Sequence, residues 1–175
     1  MTWRSILGLS AIATLGLVLL PNNAAGQQKS LKDQLVGTWT AVSWDQTSKD
    51  GSKFQRFGAN PKGVNVFDAN GRFVVMFARS DLPKLAAQDP MKSTPAENKA
   101  IMEGSIAYFG TYTVDEAAKT ISMRVETSTF PNQVGMEQKR TISVSANELR
   151  LTNTTTLTGN TINYVLKRST SLASR

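Results

Sequence analysis

Past residue 60 the chain is a succession of short segments in which apolar and polar residues alternate, each ended within a few residues by a turn signal. Successive side chains of a strand point to opposite faces, so a period of two marks half-buried strands. Segments 63–68 and 72–79 flank Asn70-Gly71, the strongest short hairpin signal in the sequence. Segment 107–114 passes through Asp115-Glu116-Ala117-Ala118 into 120–127, and Phe130-Pro131-Asn132 turns the chain into 134–144. Segments 147–155 and 161–168 follow, joined around Gly159-Asn160. With 35–44 ahead of them they make eight strands, which predicts an all-β antiparallel barrel or sandwich in one domain.

Segment 35–44, Leu-Val-Gly-Thr-Trp-Thr-Ala-Val-Ser-Trp, opens the folded part. Gly37 and Trp39 lie two apart and face the same way. A Trp there can plug the end of a small closed barrel, with the glycine leaving room for the ring. One short helix is predicted over about 95–104: Thr94 as N-cap, Pro95 at the first helical position, Glu97 at the third and Gly104 as the stop. Residues 27–34 are a polar lead-in able to form a loose helical turn. Phe54 and Phe57 stand in a polar loop and are expected to fold back over the barrel mouth.

Residues 1–26 read as a secretory signal. Arg4 precedes a largely apolar run of 15 residues, 6–20, then Pro21 and the small residues Ala24-Ala25-Gly26. A membrane span needs about 20 apolar residues. The expectation is therefore export to the periplasm or the exterior, with no stable membrane insertion once the signal is cleaved. Residues 169–175 read as a flexible tail.

The chain has no cysteine and no histidine. Disulfides and thiolate chemistry are excluded, and the commonest general base and commonest metal ligand are missing together. Neither metal nor cofactor is expected. The formal charge is +7, but the basic residues are scattered, and Lys139-Arg140 and Lys167-Arg168 are only pairs. With no interleaving of aromatic and basic residues, nucleic acid is not an expected partner.

Candidate binding residues come from strand phase. In 134–144 the phase that holds Met136, Ile142 and Val144 also holds Gln138 and Arg140. An arginine turned into a barrel must be paired or hydrogen-bonded. Arg140 and Gln138 are therefore candidates to hold a ligand carboxylate or carbonyl. The alternatives are that strand twist turns them out, or that an internal glutamate satisfies Arg140. Tyr108 and Tyr112 share a phase with Gly110, which leaves space for a ligand or for a bend in the strand. Arg79 ends its strand on the inward phase and is a candidate guard of the cavity mouth. Glu126 and Glu137 fall on the outward phase.

Gly37-x-Trp39 in the first strand, with Arg168 closing the last, resembles the calycin pattern, in which a terminal basic side chain stacks over the Trp ring. Longer segments sharpen the resemblance: Phe57-Gly58-x-Asn60-Pro61-Lys62-Gly63, then Pro95-Ala96-Glu97 leading to Ala107-Tyr108-Phe109-Gly110-Thr111-Tyr112-x-Val114-Asp115, then Phe130-Pro131-Asn132-x-x-Gly135-x-Glu137-Gln138-x-Arg140. Together they resemble the bacterial lipocalin-like domain family over residues 35–168. The resemblance implies an eight-stranded antiparallel barrel with a ligand cavity, structural roles for Gly37, Trp39 and Arg168, and no established reaction. There is one departure. Relatives often carry histidine in the strand matching 120–127, where this chain has Met123 and Arg124, which weakens an enzymatic reading. The leading expectation is a secreted or periplasmic protein that binds a small, partly apolar ligand, hydrophobic or amphipathic, with an anionic ligand as one option. An isomerase- or cyclase-type enzyme using a Tyr/Arg cavity is a second option, and a structural or partner-binding envelope protein a third.

Overall fold

The computed structural model of the chain describes residues 29–154 and 156–170. The expected signal segment, 1–26, and the tail from 171 onward lie outside the described residues. Nine strands run in order: β1 (Gly37–Thr47), β2 (Lys53–Phe54), β3 (Lys62–Phe67), β4 (Arg72–Ala78), β5 (Ser105–Asp115), β6 (Thr120–Ser128), β7 (Glu137–Val144), β8 (Glu148–Asn153) and β9 (Thr161–Arg168). From β3 to β9 each strand pairs antiparallel with the next. β1 takes β3 on one side and β9 on the other, from Trp39 opposite Arg168 to Thr47 opposite Thr161. The sheet thus closes into an eight-stranded barrel, which removes the long edges of an open sheet. β2 is a two-residue spur on the far end of β1. Among the described residues no helix is long and apolar enough to cross a membrane.

Several element boundaries differ from the sequence expectation, and two of the strand starts have a clear local cause. β1 starts at Gly37, because Leu35 ends a one-turn helix, α1 (Leu31–Leu35), which is the polar lead-in. Its first N–H groups have no intrahelical partner. The Ser30 hydroxyl takes that of Asp33, and the Glu116 carboxylate takes those of Leu31 and Lys32 at 2.8 and 3.0 Å. β7 starts at Glu137 and not at residue 134, since a 3-10 turn (Pro131–Gln133) and Gly135, at φ +80°, occupy that stretch. Proline fixes φ for the turn, and only glycine enters the left-handed region without strain. The predicted helix is present as α2 (Pro95–Gly104), with the Thr94–Glu97 capping box formed in both directions. Phe57 folds into the core as expected, whereas Phe54 remains 43% exposed.

The closed end is built around Trp39. Its ring is buried, its Nε1 donates to the Leu35 carbonyl at 2.8 Å, and the Arg168 guanidinium carbon lies 4.1 Å from the ring centroid. Arg168 donates to the carbonyls of Gln34, Val36 and Ala146 at 2.5, 3.0 and 2.7 Å. This cation–π stack, worth about 0.5–2 kcal/mol, ties the first strand to the last. Gly37 makes room for the guanidinium and not, as expected, for the ring: a Cβ there would sit 2.8 Å from Arg168 Nη1. Its φ of +134° also disfavours any side chain. Gly37→Ala should therefore cost about 1–3 kcal/mol, read as a melting temperature several degrees lower; an unchanged melting curve would contradict this packing.

Aromatic rings fill the middle of the barrel. Trp44 stacks on Tyr164 at 4.8 Å between centroids and meets Phe57 and Phe77 edge-on at 5.0 and 4.5 Å. Gly110 serves the bend and not a ligand. The β5–β6 register slips between Phe109 and Gly110, and a Cβ on Gly110 would lie 1.9 Å from the Arg124 carbonyl oxygen.

Candidate functional site

β7 alternates exposed and buried residues from Glu137 to Ile142, which turns Gln138 and Arg140 inward. Arg140 is 3% exposed. Its Nη2 donates to the Tyr108 hydroxyl at 2.9 Å and to Gln138 Oε1 at 2.5 Å. Its Nη1 donates to the Tyr164 hydroxyl and to Met123 Sδ, the latter at 3.1 Å. The guanidinium carbon lies 5.8 Å from the Tyr108 ring centroid and 5.5 Å from that of Tyr164. Neither structural alternative holds. Arg140 is not turned out, and among the described residues it has no carboxylate partner, the ion pairs lying elsewhere and the buried polar residues including no Asp or Glu.

Burying a cation costs several kcal/mol unless opposite charge and hydrogen bonds offset it. Here four neutral acceptors do part of that work, and Nε–H has no partner. Burial pulls the Arg140 pKa down, but the two phenols beside it push it up by more, so the net shift is upward and the side chain stays charged. Burial, outweighing the opposing pull of Arg140, pushes the Tyr164 hydroxyl well above the usual tyrosine range. Tyr164 is a neutral phenol. The Tyr164 oxygen accepts from Arg140 and still carries its own proton to donate.

These groups border a cavity of about 110 Å³ at the open end of the barrel. Trp44, Ile106, Phe130, Met136, Leu157 and Ile162 give it apolar walls. Gln46, Tyr108, Gln133, Gln138, Asn153, Thr156, Thr158 and Tyr164 give it uncharged polar ones, and Arg56 and Arg140 line it with positive charge. Among the described residues no Asp or Glu lines it. Of the five buried polar or charged residues described (Gln46, Asn65, Gln138, Arg140 and Asn153), four face this one space. Drug-sized ligands occupy roughly 300–1,000 Å³, whereas an apolar cavity of about 150 Å³ takes a single benzene ring. This cavity therefore suits a ligand of only a few heavy atoms.

The buried donors that lack partners are at or behind this space: Arg140 Nε, Trp44 Nε1 and the amide of Asn65. Asn65 is fully buried. Its amide approaches the Tyr164 hydroxyl closely enough to hold that group's pKa down slightly, but neither amide atom reaches hydrogen-bonding geometry. Buried polar groups are nearly always satisfied. Unspent donors around a buried cation make the site complementary to an oxygen anion.

Arg140, Gln138 and Tyr108, expected together from the sequence, do meet. Tyr112 and Arg79 do not join them. The Tyr112 hydroxyl donates to the Asp68 carbonyl at 2.6 Å, with its ring edge-on to Phe67. Arg79 grips Asp81 through two bonds of 2.8 and 2.7 Å and borders an open groove outside the cavity. Glu126 faces outward, paired with Arg72 at 2.8 Å. Tyr164, Trp44, Asn65 and Arg56 are the members that strand phase did not single out. For Tyr164 the signal was present, since it shares the apolar phase of β9 with Ile162 and Leu166. Arg56 sits in a loop, where no periodicity points.

Tyr112 has a consequence at high pH. Burial first, and the Asp68 carboxylate second, push its hydroxyl up to about 12. The folded state thus holds this proton more tightly than the unfolded chain, whose tyrosines titrate near 10. The associated stability is intact below pH 10 and is lost as pH rises through about 12. Tyr112→Phe should flatten that decline, read as urea midpoints between pH 9 and 12. An equally steep decline in the variant would contradict the assignment.

The family model described as "Lipocalin-like domain" matches residues 36–173. Among solved structures the chain is similar to a lipocalin-like protein from Bacteroides uniformis, at 14% sequence identity and a TM-score of 0.43, covering 78% of this chain and 99% of that one. No curated protein matches the chain.

Proposed function

The chain belongs to the lipocalin-like domain family, and on that premise we propose that its barrel binds a small, partly apolar anion whose charged oxygens lie beside Arg140. Small-ligand binding is general to the family; the anion is the finer reading. One observation carries it: Arg140 is a buried cation with no ion pair among the described residues, its Nε–H lacks a partner, and it lines a cavity with no Asp or Glu among its described walls. A bound anion would supply the missing charge and accept from the guanidinium, and charge-assisted hydrogen bonds are roughly twice as strong as neutral ones. Gln138, Tyr108 and Tyr164 position the guanidinium, and the apolar walls take the ligand's carbon skeleton. The leader-like residues 1–26 support export, which places this binding in the periplasm or outside the cell.

An isomerase or cyclase would use the same donors to stabilise a developing oxyanion. Such a reaction also needs a group to accept a proton. The cavity has no carboxylate, the chain has no histidine, and Tyr164 holds its proton. Binding is therefore the better reading of this geometry. A partner-binding role through Phe54 and Phe57 loses support because Phe57 is buried.

Trp44 lines the cavity while Trp39 is sealed under Arg168, so tryptophan fluorescence can report occupancy. Propionate should give a saturable change and propionamide, of nearly the same shape but neutral, should not. Equal responses to the two, or no response across a series of small carboxylates, would overturn the reading.

A further inference from the structure

Arg56 is the second cation of the cavity, and no opposite charge reaches it either. It stands in the loop between β2 and β3, where Nε donates to the Glu103 carbonyl at 3.0 Å and Nη2 to the carbonyls of Met102 and Ser105 at 2.9 and 3.2 Å. It thereby satisfies carbonyls at the C-terminal end of α2, where cations are favoured. Its guanidinium carbon lies 5.1 Å from the Phe57 ring centroid. Among the described residues it makes no ion pair, and Nη1 makes no hydrogen bond. Burial alone pulls its pKa down, with no anion to offset the effect. The described ion pairs of arginine, at Arg72, Arg79 and Arg150, are all on the surface.

Arg56 lines both the cavity and the groove outside it, which places it at the mouth, whereas Arg140 is buried within. We propose that the ligand is a short dicarboxylate, with one carboxylate at Arg140 and the other at Arg56. The inference rests on the anion-binding reading and goes one step further, to the charge and length of the ligand. Two guanidiniums and no carboxylate on the walls leave two positive charges, of which a monoanion would neutralise one. The same cavity has apolar wall residues, among them Trp44, Ile106 and Ile162, which suit a methylene linker. A volume of about 110 Å³ limits that linker to a few carbons. Unit charges interact more strongly here than in water because the surroundings are less polar.

Calorimetric titration of the folded protein with succinate and with its monomethyl ester tests this at pH 7.5, where the two differ by one charge and one methyl group. The diacid should bind about tenfold more tightly. Arg56→Gln should bring the ratio of the two affinities towards one, and Arg56→Lys, which keeps the charge, should retain most of it. Thermal melting checks that both variants remain folded, and the wild-type ratio stands independently of either. Equal affinities in the wild type, or a ratio unchanged in Arg56→Gln, would overturn the dicarboxylate and leave the anion site standing. If neither compound binds, and shorter diacids and their half-esters fail as well, both readings fall.

Discussion

Gly110→Ala should remove about 3 kcal/mol or more of folding stability, the largest loss expected from adding a single methyl group to this barrel. Small-to-large changes in packed interiors typically cost 1–3 kcal/mol, occasionally more, when flexible side chains can give way. Here the obstacle is backbone. The new Cβ would lie 1.9 Å from the Arg124 carbonyl oxygen, 3.0 Å from its carbon and 3.1 Å from the Glu126 nitrogen. Relief requires β5 and β6 to separate at the point where their register already slips. The total stability of a domain is only about 5–15 kcal/mol, so the variant should show a much lower urea midpoint. Tyr108 lies two residues away on the same strand and touches Arg140, so ligand affinity should fall with stability. A midpoint within error of the wild type would mean that the bulge adapts and that the backbone approach is not a constraint.

Arg140→Met should abolish anion binding, by 100-fold or more, and leave the protein about as stable as before. The two parts together separate function from structure. Removing buried charge together with its partners in favour of apolar side chains is often neutral or stabilising by about 1–4 kcal/mol, a gain that here offsets the roughly 1–3 kcal/mol cost of each neutral oxygen left without its donor, on Tyr108, Tyr164 and Gln138. Arg140 has no carboxylate whose loss would offset that gain, and methionine would follow much of its path beside Met123. Tyr164→Phe gives the contrast. It keeps the cation and deletes one of its acceptors, and hydrogen bonds to charged groups contribute about 1.5–3 kcal/mol. Tyr164→Phe should therefore destabilise while Arg140→Met does not. If Arg140→Met instead lost about 3–5 kcal/mol, the arginine would be a structural post and the binding reading would lose its support.

Much of this was legible in the sequence because a barrel writes its inside and outside into alternate positions. Met136, Ile142 and Val144 set a phase, and Gln138 and Arg140 fell on it. The inward turn of Arg140 followed from that alternation; that it meets Tyr108 and not Tyr112 did not. The Trp39–Arg168 stack rested on resemblance, since nothing local to residue 168 says which ring it will cover. Alternation fixes a face but not a height along the barrel axis. That is why Tyr112, on the same face as Tyr108, ended at the opposite end with its hydroxyl on Asp68. It is also why Gly37 was assigned to the Trp39 ring, when it makes room for a guanidinium brought there from the last strand. Arg56 was illegible for a different reason. It lies in a loop, and its position follows from the end of α2, whose carbonyls it satisfies from about 47 residues away in sequence.

The central claim, that the cationic interior of this barrel is an anion site, can be tested at one atom. Arg140 Nε–H has no partner in the free protein. In a nitrogen-15 spectrum of the arginine side chains, titration with succinate should move that resonance downfield in a saturable way, and its hydrogen exchange should slow as the anion accepts the bond. A resonance that stays in place while ligand saturates the protein would contradict the claim.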